Sequence, residues 1–139
     1  MNVVLHEAVC VMEEMNQTRE KILLSYEAAR AAETREEFLE KMNHSLKLAQ
    51  SIKDYSLQVK VQTGWACGEI LGGELQQFRN ISLAVVNLLK ELEDPNLEFS
   101  VFYNFGKTFA TAGDFNNSNL WFEKALDVAR KLNHFDGIA

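Results

Sequence analysis

The residues best equipped for chemistry near the start of the chain are a histidine and a cysteine one helical turn apart, His6 and Cys10. Imidazole and thiolate are both good zinc ligands, but a structural zinc site takes four such ligands. The other candidates, His44, Cys67 and His134, lie far from this pair in the sequence. Two ligands alone do not make a structural zinc site, so we expect no metal and no cofactor.

Four glycines, Gly64, Gly68, Gly72 and Gly73, resemble a phosphate-binding loop in composition. Such a loop presents successive backbone amides at the start of a helix. Here the glycines recur at helical spacing within an apolar stretch. They are better explained by close helix packing that ends at a helix terminus.

Acid–base and nucleophilic catalysis are not indicated either. Glu36, Glu37 and Glu40 form a carboxylate cluster, but catalytic carboxylates need different surroundings to separate their pKa values. A solvated helix face explains the cluster better. The sequence contains no nucleophile elbow, P-loop or Ser/His/Asp arrangement. We therefore predict that the chain is not an enzyme, and a small helical enzyme is the least favoured alternative.

The composition is that of one globular domain, with 139 residues, 47% of them hydrophobic and 24% charged. The 14 basic and 20 acidic residues give a net charge of −6, which disfavours nucleic acid and anionic membrane surfaces as partners. The longest apolar runs fall short of the roughly 20 residues of a membrane-spanning helix. Glu7, Glu13 and Glu14 interrupt the region where a secretory signal needs an apolar core. We predict a cytoplasmic chain in which Cys10 and Cys67 are reduced, buried thiols.

Two apolar helical stripes flank a turn between residues 99 and 132. The first stripe, with spacing i, i+3, i+4, i+7, comprises Phe102, Phe105, Gly106 and Phe109. The second follows a Gly-Asp-Phe turn and comprises Phe122, Ala125, Leu126 and Ala129. A small residue in each stripe permits a close crossing, so the pattern predicts an antiparallel helix pair with one apolar face left for a neighbour to cover. We expect the three phenylalanines of the first stripe to be buried.

These residues resemble the tetratricopeptide repeat (TPR) family. The positions that match its pattern are Phe102, Phe105-Gly106, Phe109, Gly113-Asp114-Phe115, Ser118, Phe122 and Ala125-Leu126. Ser118 replaces the usual Ala, and Arg130 stands where the family usually closes with Pro. The resemblance implies an all-α fold, a right-handed α-solenoid of antiparallel helix pairs, with about three repeats and an N-terminal helix.

The chain also resembles itself at a fixed shift. The aligned sets include Ala49, Leu89 and Ala129; Ile52, Leu92 and Leu132; and Gly73 with Gly113. A period of about 40 residues is typical of stacked helical units. Helix starts are marked by a capping box at Thr34–Glu37, by Asp94-Pro95 and by Asp114. The predicted helices are 3–15, 18–32, 35–53, 55–71, 74–93, 96–112 and 115–133, with one continuous first helix as the alternative to the first two.

We expect a single TPR-like domain over residues 1–139. Its predicted parts are an N-terminal helix at 1–16, repeats at 17–54, 55–94 and 95–133, and the start of a truncated next unit at 134–139. Such an uncapped end suggests the N-terminal part of a longer protein. The alternative is that the residues after 133 fray and another subunit covers that end.

In TPR proteins the first helix of each repeat lines a concave face that binds the ligand. The resemblance therefore implies ten partner-binding candidates: Glu20, Glu27, Arg30, Lys60, Thr63, Cys67, Tyr103, Asn104, Lys107 and Thr111. Their mixed charge suits a peptide or an amphipathic helix. The Lys and Asn with which one TPR subset clamps a C-terminal carboxylate are not matched, since Tyr103 and Lys107 stand in those places.

The function that follows is a protein- or peptide-binding interaction module. The resemblance favours a narrower form, the N-terminal regulatory, sensory or dimerisation part of a bacterial signalling protein. The alternative is a fragment of a peptide-pheromone-type regulatory receptor, which an upstream DNA-binding helix-turn-helix would identify. An apolar N-terminal helix predicts a symmetric homodimer through Val3, Val4, Leu5, Val9, Val11 and Met12.

Overall fold

The computed structural model of the chain describes residues 2–133, and this part contains helices and no strand. Its six helices are α1 Val3–Arg30, α2 Arg35–Ser51, α3 Tyr55–Leu71, α4 Leu75–Leu92, α5 Pro95–Thr111 and α6 Phe115–Asn133. Helix α1 packs along α2, and α5 packs along α6. The prediction of an all-α fold built from helix pairs is confirmed. The start of a next unit predicted at 134–139 lies outside the described residues.

The first helix is continuous, so the predicted break between residues 15 and 18 is wrong and the alternative of one long helix is right. The polar residues at that point are accommodated within the helix. The Thr18 hydroxyl donates to the carbonyl oxygen of Glu14 at 3.0 Å, which satisfies it without interrupting the backbone ladder.

Helices α2 to α6 begin at positions 35, 55, 75, 95 and 115, so their starts are evenly spaced along the chain. Four residues that directly precede these starts, Thr34, Asp54, Asp94 and Asp114, each accept a hydrogen bond from the amide three positions later, at 3.0–3.1 Å. Glu74 precedes α4 without such a bond. The predicted 40-residue period therefore spans two successive helix starts, and most of these helices are started by a polar cap of their own.

Of the two hydrogen bonds of the capping box predicted at Thr34, one is formed. The amide of Glu37 donates to Thr34 Oγ1, as expected. The Glu37 carboxylate, which was expected to reach back to Thr34, lies instead 2.6 Å from Lys41 Nζ on the next turn of the same helix.

The residue two positions before each of the last four helices has a left-handed backbone. Gly73 and Gly113 have φ of +76° and +81°, and Lys53 and Glu93 have φ of 54° and 50°. Glycine adopts this conformation freely. For a residue with a Cβ it costs about 1–2 kcal/mol. The helix junctions at Lys53 and Glu93 therefore carry local strain that the two glycine junctions avoid.

The chain divides into two compact units at Val61–Gln62, within α3. In the first unit, α1 buries Ile22, Tyr26 and Ala29 along one face. Helix α2 buries its own stripe, Met42, Ser45 and Ala49. The organisation into three repeats within one domain stays a prediction.

An aromatic cluster forms the core of the second unit. The Phe78 ring of α4 stands edge-on to Phe105 and Phe109 of α5 and to Trp121 of α6, with centroids 5.0–5.8 Å apart. Such edge-to-face pairs contribute about 0.5–1.5 kcal/mol each beyond their buried area. Phe105 and Phe109 are buried as expected. Phe102 was expected to be buried but is half buried, with its ring centroid 5.6 Å from that of Trp121.

Helices α5 and α6 cross closely at Gly106. A Cβ at this position would lie 2.6 Å from Cδ1 of the Phe122 ring. At the same crossing the buried Ser118 hydroxyl donates to the carbonyl oxygen of Gly106 at 2.8 Å. The close crossing that the small residue predicted is present, and Ser118 supplies a hydrogen bond that an Ala could not make.

Replacing Gly106 by Ala is expected to lower the free energy of unfolding by about 1–3 kcal/mol, because the methyl group overpacks the Phe122 ring. Urea unfolding followed by circular dichroism measures the change. The double variant Gly106→Ala/Phe122→Leu should lose less than the sum of the two single variants. Additive losses would mean that the Phe122 ring is not what restricts position 106.

Replacing Glu93 by Gly is expected to raise the free energy of unfolding by about 1 kcal/mol, because it relieves the left-handed strain. The matched control is Glu91→Gly, two residues earlier in right-handed helix, which should cost about 1 kcal/mol. Equal urea midpoints for the two variants would contradict the backbone conformation assigned to Glu93.

Candidate partner-binding surface

One face of α5 is exposed along its whole length and carries most of the residues expected to bind a partner there. This α5 stripe consists of Ser100, Tyr103, Lys107 and Thr111. The spacing of three, four and four residues places them on one side of a helix. The other side carries Phe105 and Phe109, whose burial fixes the rotation of α5. Asn104, the remaining candidate on this helix, is half buried beside the stripe.

Tyr103 is exposed yet held in place by two other rings. Its exposed fraction is 45%. The ring stacks on Phe99 with centroids 6.0 Å apart and an interplanar angle of 15°. It also meets Phe122 with centroids 5.6 Å apart. The α5–α6 crossing that positions Phe122 against Gly106 therefore also positions Tyr103.

Threonine hydroxyls on and beside the α5 stripe donate to backbone carbonyl oxygens of the same helix. The Thr111 hydroxyl donates to the carbonyl oxygen of Lys107 at 3.1 Å, and the neighbouring Thr108 hydroxyl donates to the carbonyl oxygen of Asn104 at 2.7 Å. These bonds use the donors and leave the hydroxyl oxygens as acceptors. Lys107 supplies the positive charge of the stripe, one helical turn from the Tyr103 ring.

The α1 candidates Glu20, Glu27 and Arg30 are all exposed on the first unit. Arg30 Nη1 lies 3.6 Å from Glu27 Oε1, and its guanidinium carbon lies 5.7 Å from the centroid of the Tyr26 ring. An exposed pair of this kind contributes little to stability. The structure thus brings Glu27 and Arg30 together on one helix, with opposite charges partly neutralising each other.

The α3 candidates differ in exposure. Lys60 is exposed, Cys67 is half buried and Thr63 is buried. Thr63 therefore offers no surface to a partner. The expectation of two buried thiols is wrong, because Cys67 is only half buried and Cys10 is exposed. Within residues 2–133 no three His, Cys, Asp or Glu side chains are placed to hold a metal ion.

A shallow groove in the second unit was not predicted from the sequence. Its volume is about 190 Å³. Its lining comes from α4, α5 and α6: Leu75, Phe78, Arg79, Ser82, Phe109, Asn117, Leu120 and Trp121. Phe109 places it on the side of α5 away from Tyr103. Its aromatic residues have the pattern of core residues in the sequence. The one hint is Leu120, a large apolar side chain outside the buried register of α6, whereas Leu75 simply continues the buried register of α4.

Three carboxyl groups in the described part of the chain have lowered pKa values, and all three lie at helix starts. For Asp114 the cause is its hydrogen bonds from the Asn117 side chain and amide. For Glu37 it is the hydrogen bond and charge of Lys41. Burial raises the pKa of Asp54, but the Arg19 and Leu57 hydrogen bonds and the Arg19 charge together outweigh it and leave the pKa below its usual range. These ionised groups stabilise helix starts and fall outside the candidate surface.

Comparison with protein-family models, with curated proteins and with solved structures found no match to this chain. No helix within residues 2–133 is both long and apolar enough to cross a membrane.

Asp54 provides a pH test of the helix-start interactions. Asp54→Asn keeps a capping acceptor for the Leu57 amide but removes the charge paired with Arg19, whose Nε lies 2.9 Å from Asp54 Oδ2. We expect a loss of about 0.5–1 kcal/mol at pH 7, typical of a partly exposed pair. Because the folded pKa is depressed, this stabilisation is complete above the unfolded pKa of about 3.9 and is lost as pH falls through the folded value.

Urea unfolding at several pH values measures whether the free energies of unfolding of the wild type and Asp54→Asn become equal as the pH falls. The matched control is Asp94→Asn, at a cap of the same geometry two helix starts later. Its cost should be smaller, since Asn and Asp are similar N-caps. A cost for Asp54→Asn that stays unchanged down to pH 2, or that equals the cost at Asp94, would contradict a contribution from Arg19.

Proposed function

We propose that this chain is an interaction module that binds a protein or peptide through the α5 stripe. The observation that carries the proposal is Tyr103, a large aromatic side chain that is exposed but already ordered by Phe99 and Phe122. Tyrosine is enriched among the residues that dominate binding energies. A side chain held in place before binding loses little conformational entropy when the partner arrives.

The resemblance to TPR proteins supports the same face. In that family the ligand lies against the first helix of a repeat, and α5 holds the matching place in the third predicted repeat. The narrower form of the proposal, a regulatory or sensory part of a cytoplasmic bacterial signalling protein, rests on this resemblance alone.

The chemistry of the stripe describes its ligand. Ser100 to Thr111 spans about 17 Å of helix, which matches about five residues of extended chain or three turns of helix. An apolar or aromatic ligand side chain would pack on Tyr103. An acidic group one turn away would pair with Lys107, and backbone amides of the ligand could donate to the Ser100 and Thr111 hydroxyls.

Selection of a displayed random-peptide library against the whole chain tests the proposal. We expect enriched peptides with an apolar and an acidic residue. Tyr103→Ala should weaken their binding about 30-fold, as for an interface hot spot worth about 2 kcal/mol. Lys107→Ala should weaken it about tenfold at low salt, and less at high salt because exposed charges are screened.

Tyr55→Ala is the matched control, since Tyr55 is 49% exposed and Tyr103 45%. It should leave binding unchanged. Leu120→Ala, in the groove on the other side of α5, should also have no effect. Absence of any enriched peptide, or peptides sensitive to Leu120→Ala and not to Tyr103→Ala, would refute the α5 stripe as the binding surface.

A further inference from the structure

The first half of α1 is exposed on every side. Each residue from Asn2 to Glu14 is exposed, and burial along this helix starts only at Met15. Residues 3–15, which we name the α1 arm, include six large apolar side chains with substantial exposure: Val3, Val4, Leu5, Val9, Val11 and Met12. Helix α1 has 28 residues and its partner α2 has 17, so α2 is too short to cover the arm as well.

The apolar face of the arm continues the face that the first unit buries. Leu5, Ala8, Met12 and Met15 follow one another at spacings of three, four and three residues. The same line passes on through the buried Ile22, Tyr26 and Ala29. The arm thus presents an extension of an established helix–helix contact surface, which a further helix can cover with the same packing.

Charge is confined to the opposite side of the arm. Glu7, Glu13 and Glu14 lie there with His6 and Cys10, while Leu5, Ala8, Met12 and Met15 form an uncharged seam. Helices that lie on membranes usually carry Lys and Arg on their polar face. The arm contains no Lys or Arg, so its charge pattern disfavours a lipid surface. The seam itself carries no charge that would repel an identical helix.

We propose that the α1 arm pairs antiparallel with the arm of a second copy of this chain. The proposed register sets Leu5 against Met15 of the other arm and Ala8 against Met12. A small residue opposite a large one lets the helices approach and fills the seam without a void. Cys10 lies on the outer side, so its thiol does not link the dimer.

The proposal is independent of the α5 stripe, which lies on the other unit. The arm is about 20 Å long. Its contact area is small beside the roughly 800 Å² per partner of a standard interface. We therefore expect a dimer that forms at micromolar concentrations and dissociates on dilution.

Sedimentation velocity of the whole chain from about 1 μM to about 500 μM should show a monomer–dimer equilibrium, since a micromolar Kd falls in this range. Met12→Glu places a charge in the seam and should give monomer throughout. Val3 is among the residues that the sequence predicted to pair, but its register places it on the outer side of the arm. Val3→Glu, at a similar exposure of 69% against 63%, should therefore leave the equilibrium unchanged. Circular dichroism checks that both variants keep the wild-type helix content.

Disulfide trapping tests the direction of pairing in a Cys10→Ser/Cys67→Ala background. A mixture of Ala8→Cys chains with Met12→Cys chains should cross-link into mixed dimers, while either alone cross-links weakly, because equivalent positions are too far apart along the axis. Efficient cross-linking of each variant with itself would indicate parallel pairing and overturn the proposal.

Three further results would overturn it: monomer at all concentrations, a dimer that survives Met12→Glu, or a dimer lost equally in Val3→Glu. Binding of the wild-type chain to phosphatidylcholine/phosphatidylserine vesicles, abolished by Met12→Glu in the absence of a dimer, would assign the arm to lipid instead. Tyr103→Ala should leave the dimer intact, so failure here and failure of the peptide-binding proposal are separate results.

Discussion

The close crossing of α5 and α6 at Gly106 is the contact on which the second unit depends. The Phe122 ring occupies the space that any side chain at position 106 would need, and Ser118 ties the two helices together at the same point. This crossing brings Trp121 into the aromatic cluster with Phe78. It also supports the Tyr103 ring, so one packing constraint determines both the core of the unit and the shape of its exposed surface.

Regularly spaced helix starts complement this packing. Evenly spaced polar caps start most of the helices, and a left-handed residue lies just before most of these caps. Caps act locally and occupy few positions, which leaves the helix faces free for packing on one side and for polar or ligand-binding residues on the other. Where the left-handed position holds Lys53 or Glu93 instead of glycine, the junction carries local strain.

The two proposed surfaces differ in physical character. The α5 stripe is polar with one supported aromatic ring, as suits a contact that must also be stable in water without its partner. The α1 arm is a continuous apolar face with its charges turned away, as suits pairing with a helix like itself. Each surface lies on a separate unit. The α5 stripe is the uncovered side of a helix whose other side is packed, and the α1 arm is the uncovered first half of a helix whose second half is packed.

The sequence by itself determined the helices and most of their ends, because caps such as Asp94-Pro95 and periodic apolar stripes act over a few residues. It also indicated the crossing at Gly106 and the exposed side of α5. Only the tertiary structure decided that Thr63 is buried, that Phe102 is half exposed, that α1 runs unbroken past Thr18, and that Leu75 and Leu120 border a groove. Those outcomes depend on which residues of distant segments come into contact. A local sequence pattern does not specify these contacts.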